Sequence, residues 1–182
     1  MAEDHKYPAV TPADVLKYAR PTEGFLCPIS ANVYGISFGK FVIRNVVTNE
    51  TLLNIEPEEG VVPEPIESDD MRTIRYAFSR EFLKLEKVGT AVEFKVGEEE
   101  VKNFRMIERH YYGGKLLRSY DFTFGFCIPH SKNSWEVIYS LPQLKDSEIN
   151  EMVKHPFETK SDSFYFVGNT LIMHHKAEYE YT

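Results

Sequence analysis

The strongest constraint on how this chain folds is a two-residue rhythm of aromatic side chains. Tyr120, Phe122, Phe124, Phe126 and Ile128 fall on every second position, and Trp135, Val137, Tyr139 and Leu141 resume the rhythm beyond Pro129. Successive side chains of a strand point to opposite faces, so this spacing lays one unbroken apolar face on a strand. The same pattern recurs in Tyr34, Ile36 and Phe38, then slips by one near Gly39 before Phe41 and Ile43, which predicts a bulge. It recurs again in Leu52 to Ile55, in Ile74, Tyr76 and Phe78, in Val92, Phe94 and Val96, from Val101 to Tyr112, in Phe164 to Val167 and from Leu171 to Tyr179. Gly97-Glu98-Glu99, Gly113-Gly114 and Gly168-Asn169 read as hairpin turns. Eight or nine strands with turn signals between them predict an all-β sandwich.

Two short helices interrupt the strands. Thr11 as N-cap, Pro12 at the first helical position and an apolar stripe of Val15, Leu16 and Ala19 predict one, with Pro21 as its stop. Asp146 to His155, with Asp146 as N-cap and Ile149, Met152 and Val153 as its apolar face, predict the other, stopped by Pro156. Ser79 caps a single helical turn that presents Phe82. At 182 residues the chain reads as one domain: a flexible tail over 1–10, then a single β-sandwich over 11–182 carrying an acidic loop at 56–70.

That loop holds Glu56, Glu58, Glu59, Glu64, Glu67, Asp69 and Asp70 without a Lys or Arg. These seven acids equal the entire excess of 28 acids over 21 bases, so the remainder of the chain is neutral. A nucleic-acid partner is not expected, because phosphate binding needs a basic surface. The loop reads as a solvated linker, remote in sequence from Glu108 and Tyr165. The N-terminus has no apolar core of a signal peptide, no run approaches a spanning helix, and neither end carries a lipidation motif. The expectation is a cytoplasmic protein with no membrane insertion, its Cys27 and Cys127 kept as buried thiols.

One strand carries an unusual face. Phe104, Met106, Glu108, His110 and Tyr112 share a side, so a carboxylate and an imidazole point the same way as Phe and Met. If that face is buried, Glu108 needs a partner, since an unpaired buried carboxylate costs several kcal/mol. An internal pair with Arg or His, the wet end of an edge strand, and the mouth of a binding cavity all satisfy that need. The abundance of Tyr also suits a cavity wall, where the hydroxyls find partners.

Longer motifs carry a family resemblance. Asn103-Phe104-Arg105-Met106-Ile107-Glu108-Arg109-His110-Tyr111, then Phe124-Gly125-Phe126-Cys127, Ser131-Lys132-Asn133, Ser161-Asp162-Ser163-Phe164-Tyr165-Phe166-Val167 and Met173-His174 with Lys176-Ala177 resemble the uncoordinated-119 lipid-binding chaperones. The resemblance runs from about Asp14 to Tyr181. It implies an immunoglobulin-like sandwich, shared with the prenyl-binding delta subunit of phosphodiesterase 6, with a lipid cavity between its sheets. It further implies a carrier of N-myristoylated proteins (G-protein alpha subunits, Src-type kinases, ciliary proteins), unloaded by GTP-bound Arf-like small GTPases in the cytoplasm and at the cilium. Phe41, Tyr76, Phe82, Tyr120, Tyr139, Leu141 and Tyr165 then become acyl-pocket residues, and Glu108 and His110 peptide-binding residues. Close relatives carry Phe in place of Tyr120 and Leu141, departures that bear on pocket depth, and His in place of Val137.

Three other readings compete. A prenyl carrier would use the same sandwich on a farnesyl group, and a lipid-independent adaptor would use it as a passive scaffold. An enzyme would need His110, His130, His174, His175 and Glu108 to form a metal or acid–base site. No His-Glu-x-x-His spacing, nucleophile elbow or Cys cluster supports that, and adjacent His174 and His175 on a strand face opposite ways. No cofactor, no metal and no catalytic residue is therefore expected.

Overall fold

The computed structural model describes residues 7–59, 61 and 64–182. Part of the tail expected over 1–10 and part of the acidic loop lie outside these. In chain order the elements are α1 (Pro12–Val15), β1 (Ser37–Asn45), β2 (Thr51–Ile55), β3 (Thr73–Phe78), β4 (Lys87–Lys95), β5 (Val101–Tyr112), β6 (Lys115–Cys127), β7 (Lys132–Ser140), α2 (Asp146–Lys154), β8 (Thr159–Val167) and β9 (Thr170–Tyr181). They form two sheets, β2-β1-β4-β7 and β3-β9-β8-β5-β6, and so the all-β, immunoglobulin-like sandwich with two short helices. All strand pairs are antiparallel except β3 with β9, which run parallel.

Turn chemistry sets several of the links. Gly113 and Gly114 both take positive φ, which only glycine adopts without strain, and close the tight β5–β6 hairpin with Tyr112 opposite Lys115. Gly168 does the same between β8 and β9, where Val167 pairs with Thr170. The expected slip near Gly39 is present, as the β1–β4 register shifts between Phe38 and Phe41. Ser79 caps a 3₁₀ turn over Arg80–Lys84, its Oγ accepting the Glu81 N–H.

Several expectations change. Gly97-Glu98-Glu99 is not a hairpin: β4 and β5 lie in different sheets, and the segment carries the chain across the sandwich. There the Gly97 N–H donates to the Tyr34 carbonyl at 2.9 Å, an approach with no room for a side chain. The first strand starts at Ser37 rather than at Tyr34, because the Asn32 side chain takes both the N–H and the carbonyl of Ile36. The aromatic face of β6 breaks at Gly125 (φ +99°), so Phe126 and Ile128 turn outward while Cys127 is buried. Lys145, not Asp146, is the N-cap of α2, and its N–H is accepted by Glu148 three residues on. The first helix ends at Val15, well before Pro21. The acidic stretch closes in a 3₁₀ turn over Asp69–Arg72, where Arg72 is buried and paired with Asp69.

The outer face of the five-stranded sheet is covered by the segment that precedes β1. Val10 and Val15 are buried with Ile107, Phe164, Phe166 and Leu171. The Arg109 guanidinium and the Tyr111 hydroxyl both donate to the Tyr18 carbonyl. Asp162, almost wholly buried, accepts from His174 Nε2, Lys176 Nζ, the Thr22 N–H and the Thr22 hydroxyl, at 2.8 to 2.9 Å. His174 Nδ1 accepts the Leu26 N–H, which fixes a neutral imidazole with its proton on Nε2. Both faces of β5 are thus enclosed: Ile107, Arg109 and Tyr111 under this strap, Phe104, Met106 and Glu108 toward the space between the sheets.

Candidate functional site

Between the sheets lies a cavity of about 280 Å³. Its existence follows from the inner faces of β1, β4 and β7 on one side and β3, β5, β8 and β9 on the other, whose side chains meet only in part. At one end Phe38, Phe94, Phe104, Trp135 and Tyr165 pack edge-on or tilted, with Phe104 stacked on Tyr165, centroids 5.1 to 6.4 Å apart, and close the space. On another wall Phe82 stacks on Phe78 at 4.3 Å, and Tyr76 on Tyr179 at 5.5 Å. Ile55, the last residue of β2, and Ile74 of β3 both line the cavity yet are 44% and 43% exposed. They mark its rim, and the acidic segment that joins β2 to β3 starts and ends beside it.

Of the residues singled out from the sequence, Phe41, Tyr76, Phe82, Glu108, Tyr139, Leu141 and Tyr165 all line this cavity. Tyr120 and His110 do not. Tyr120 stands behind Tyr139, ring centroids 4.6 Å apart, and its hydroxyl donates to the Ser140 carbonyl at 2.8 Å. His110 sits beside Glu108, with Nε2 2.5 Å from Oε1. The other carboxylate oxygen of Glu108 accepts the Tyr139 hydroxyl at 2.9 Å, a bond that spans the two sheets. Glu108 is therefore held from both sides, its side chain only 13% exposed.

Burial and this carboxylate act together on the surrounding phenols. Burial, then the charge of Glu108, pushes Tyr76 up to about 12 and drives Tyr165, Tyr139 and Tyr179 well above the ordinary tyrosine range. Burial also lifts Tyr120 to about 12, with Arg118 opposing and Glu108 adding. The phenols stay protonated, able to donate to carboxylates, carbonyls or a ligand. His175, which faces the cavity between Phe38 and Tyr165, is held down to about 4 by burial and then by the nearby His174 and Arg72. Its neighbour His174 points to the opposite face, as alternation requires.

Phe38, Met106, Trp135, Ser163, His175 and Tyr179 also line the cavity and were not among the expected site residues. Each lies on an inward position of an alternating strand, so the signal was present; nothing in it separates a cavity wall from a filled core. No cluster of His, Cys, Asp and Glu able to hold a metal occurs among the described residues. None of their helices is long and apolar enough to cross a membrane.

The chemistry of the site is that of a greasy slot with one fixed carboxylate and neutral hydroxyl and imidazole groups: it can bind an extended apolar chain and accept hydrogen bonds beside it. Comparison with known proteins agrees. The profile of the family described as GMP-PDE, delta subunit, matches residues 30–181. Protein unc-119 of Caenorhabditis elegans is 49% identical over 174 residues, covering 94% of this chain and 80% of that protein. Protein unc-119 homolog B of Homo sapiens is 46% identical over 180 residues, covering 94% and 72%. The homologue in Drosophila melanogaster is 44% identical over 202 residues, covering 98% and 76%. This is a family of binding and carrier proteins rather than enzymes. On this match over most of its length, the chain belongs to the unc-119 group of the GMP-PDE delta-subunit family of lipid-binding chaperones.

Proposed function

We propose that this protein solubilises and carries N-myristoylated proteins, holding the acyl chain in the cavity and the first residues of the client at its polar groups. The observation that carries this reading is Glu108, a carboxylate fixed inside a largely apolar slot. An acyl chain linked through an amide presents N–H donors beside its hydrocarbon, and Glu108 supplies their acceptor; His110 orients that carboxylate. Phe41, Tyr76, Phe82, Tyr139, Leu141 and Tyr165 form the wall against the chain, with Tyr120 backing Tyr139. Burying a myristoyl chain is worth roughly 10 kcal/mol at about 0.8 kcal/mol per CH₂. A bilayer offers the same gain, so the polar contacts supply the selectivity for protein-linked chains. Clients of this chemistry include G-protein alpha subunits, Src-type kinases and ciliary proteins, and a GTP-bound Arf-like GTPase that binds the carrier better without cargo would unload it in the cytoplasm or at the cilium.

Native mass spectrometry with a myristoylated N-terminal peptide tests the proposal. One-to-one binding is expected, with none for the unacylated peptide, and with loss in Tyr76→Ser, Phe82→Ser and Glu108→Ala. Tighter binding of a farnesylated C-terminal peptide would overturn the myristoyl assignment in favour of prenyl carriage. Equal binding of the unacylated peptide would make the protein a lipid-independent adaptor. Addition of a GTP-loaded Arf-like GTPase should strip the acylated peptide, whereas the GDP-loaded form should not.

A further inference from the structure

The charges that face the cavity are unbalanced in a way that hydrocarbon binding does not require. Among the described residues the ionisable side chains on its wall are Glu108, His175, Lys176 and four tyrosines. The tyrosines are held protonated and His175 neutral, as described above. Lys176 borders the cavity, but its ammonium is engaged by Asp162 Oδ1 at 2.8 Å, the Thr22 carbonyl at 2.6 Å and the Thr22 hydroxyl at 2.5 Å. His110 offers no free donor either, since its Nε2 is engaged by the Glu108 carboxylate at 2.5 Å. Cations next to rim residues are also committed, Lys40 to Glu56 at 3.3 Å and Arg75 to Glu178 at 3.0 Å. The acidic segment that leaves Ile55 adds further negative charge at that side.

We infer that Glu108 makes this cavity selective for neutral acyl amides and rejects free fatty-acid anions of the same chain length. The inference rests on the carrier reading above and adds a discrimination to it. A fatty-acid carboxylate brought to the polar groups of the wall meets a fixed carboxylate, finds no free cation among the residues that line the cavity, and loses its hydration. Two like charges about 5 Å apart in a partly buried site repel enough to cost about 100-fold in affinity. An amide in the same place gives Glu108 a donor, and an alcohol gives it a hydroxyl. The biological consequence is a carrier whose slot is not filled by free fatty acids while it waits for acylated proteins.

Isothermal titration of the native chain at pH 7.5, below micellar concentrations, with N-tetradecanoylglycine N-methylamide, 1-tetradecanol and tetradecanoate tests this. The amide and the alcohol should bind, and tetradecanoate about 100-fold more weakly than the amide. Glu108→Gln should bring tetradecanoate to within about threefold of the amide. The comparison of alcohol with anion needs no variant and so stands even if Glu108→Gln does not fold. Tetradecanoate binding within threefold of the amide on the native chain overturns the inference, as does a folded Glu108→Gln that keeps the native ratio. If none of the three ligands binds, it is the carrier reading itself that fails.

Discussion

Replacing Asp162 by Asn would test how the strap over the outer sheet is held. Oδ1 accepts from His174, Lys176 and the Thr22 hydroxyl, and Oδ2 from the Thr22 N–H. An Asn that keeps its oxygen at the first position turns an amide donor toward the Thr22 N–H; flipped, it turns that donor toward the other three. The better choice leaves one buried N–H unpaired, about 1–3 kcal/mol, and weakens a charge-assisted bond to Lys176, about another 1 kcal/mol. A loss of about 3 kcal/mol in unfolding free energy is expected, or a fall in Tm of roughly 6–12 °C for a chain of this size. The assay is urea unfolding at pH 7.5 followed by Trp135 fluorescence, with limited trypsin digestion at Lys17 reporting release of the strap. Burial works against ionisation of Asp162, but its bonds to His174 and Lys176 outweigh that and hold its pKa below the usual carboxylate range. Its contribution is therefore complete above the unfolded value near 4 and fades as pH falls further, so native and variant stabilities should converge in acid. A difference below 1 kcal/mol at pH 7.5, with Lys17 cut no faster, would refute the reasoning.

Gly97→Ala should destabilise the sandwich by about 2 kcal/mol or more, because its Cβ would lie 2.7 Å from the Tyr34 carbonyl oxygen and 3.3 Å from the Gly35 Cα, and neither backbone atom has a flexible side chain's freedom to yield; chemical denaturation measures it. His175, at about 4 in the folded chain and 6.5 when unfolded, stabilises fully above about pH 6.5 and loses that contribution as pH falls toward 4. Between pH 7.5 and 5 the loss is about 2 kcal/mol, and a His175→Asn variant should show that much less acid sensitivity over the same interval. Burial lifts the thiols of Cys27 and Cys127 to about 11, with Arg72 opposing at Cys27. Iodoacetamide at pH 7.5 should label neither in the folded chain and both in 6 M guanidinium, whereas rapid labelling of the native chain would show either site to be open.

Periodicity made the inner faces readable. Glu108 follows Phe104 and Met106 at two-residue spacing, so its direction was evident, and His110 two residues on was a natural partner. Tyr139 as the second partner was not evident, because the bond joins strands of different sheets and no local pattern encodes how two sheets face each other. Gly97 and Gly125 misled for a related reason. A glycine announces a special backbone, but whether the chain then doubles back, crosses to the other sheet or flips its inward side is decided by tertiary contacts such as that of Gly97 with Tyr34. The acidic segment is remote from Glu108 in sequence, yet its flanking residues Ile55 and Ile74 both line the cavity. Family motifs located the pocket residues more sharply than alternation did, since a wall and a core share one rhythm.

The two hydrogen bonds that tie sheet to sheet, Tyr139 to Glu108 and Tyr120 to Ser140, sit toward β6 and β7. Among the described residues the β2 and β3 side has no equivalent; there Ile55 and Ile74 line the cavity and stay partly exposed. The sandwich is thus bound like a book, with a spine along β6 and β7 and loose page edges at β2 and β3. Opening it at those edges would leave every ladder bond intact, so, on the carrier reading proposed above, cargo of differing girth would be admitted by a small change of angle rather than by unfolding.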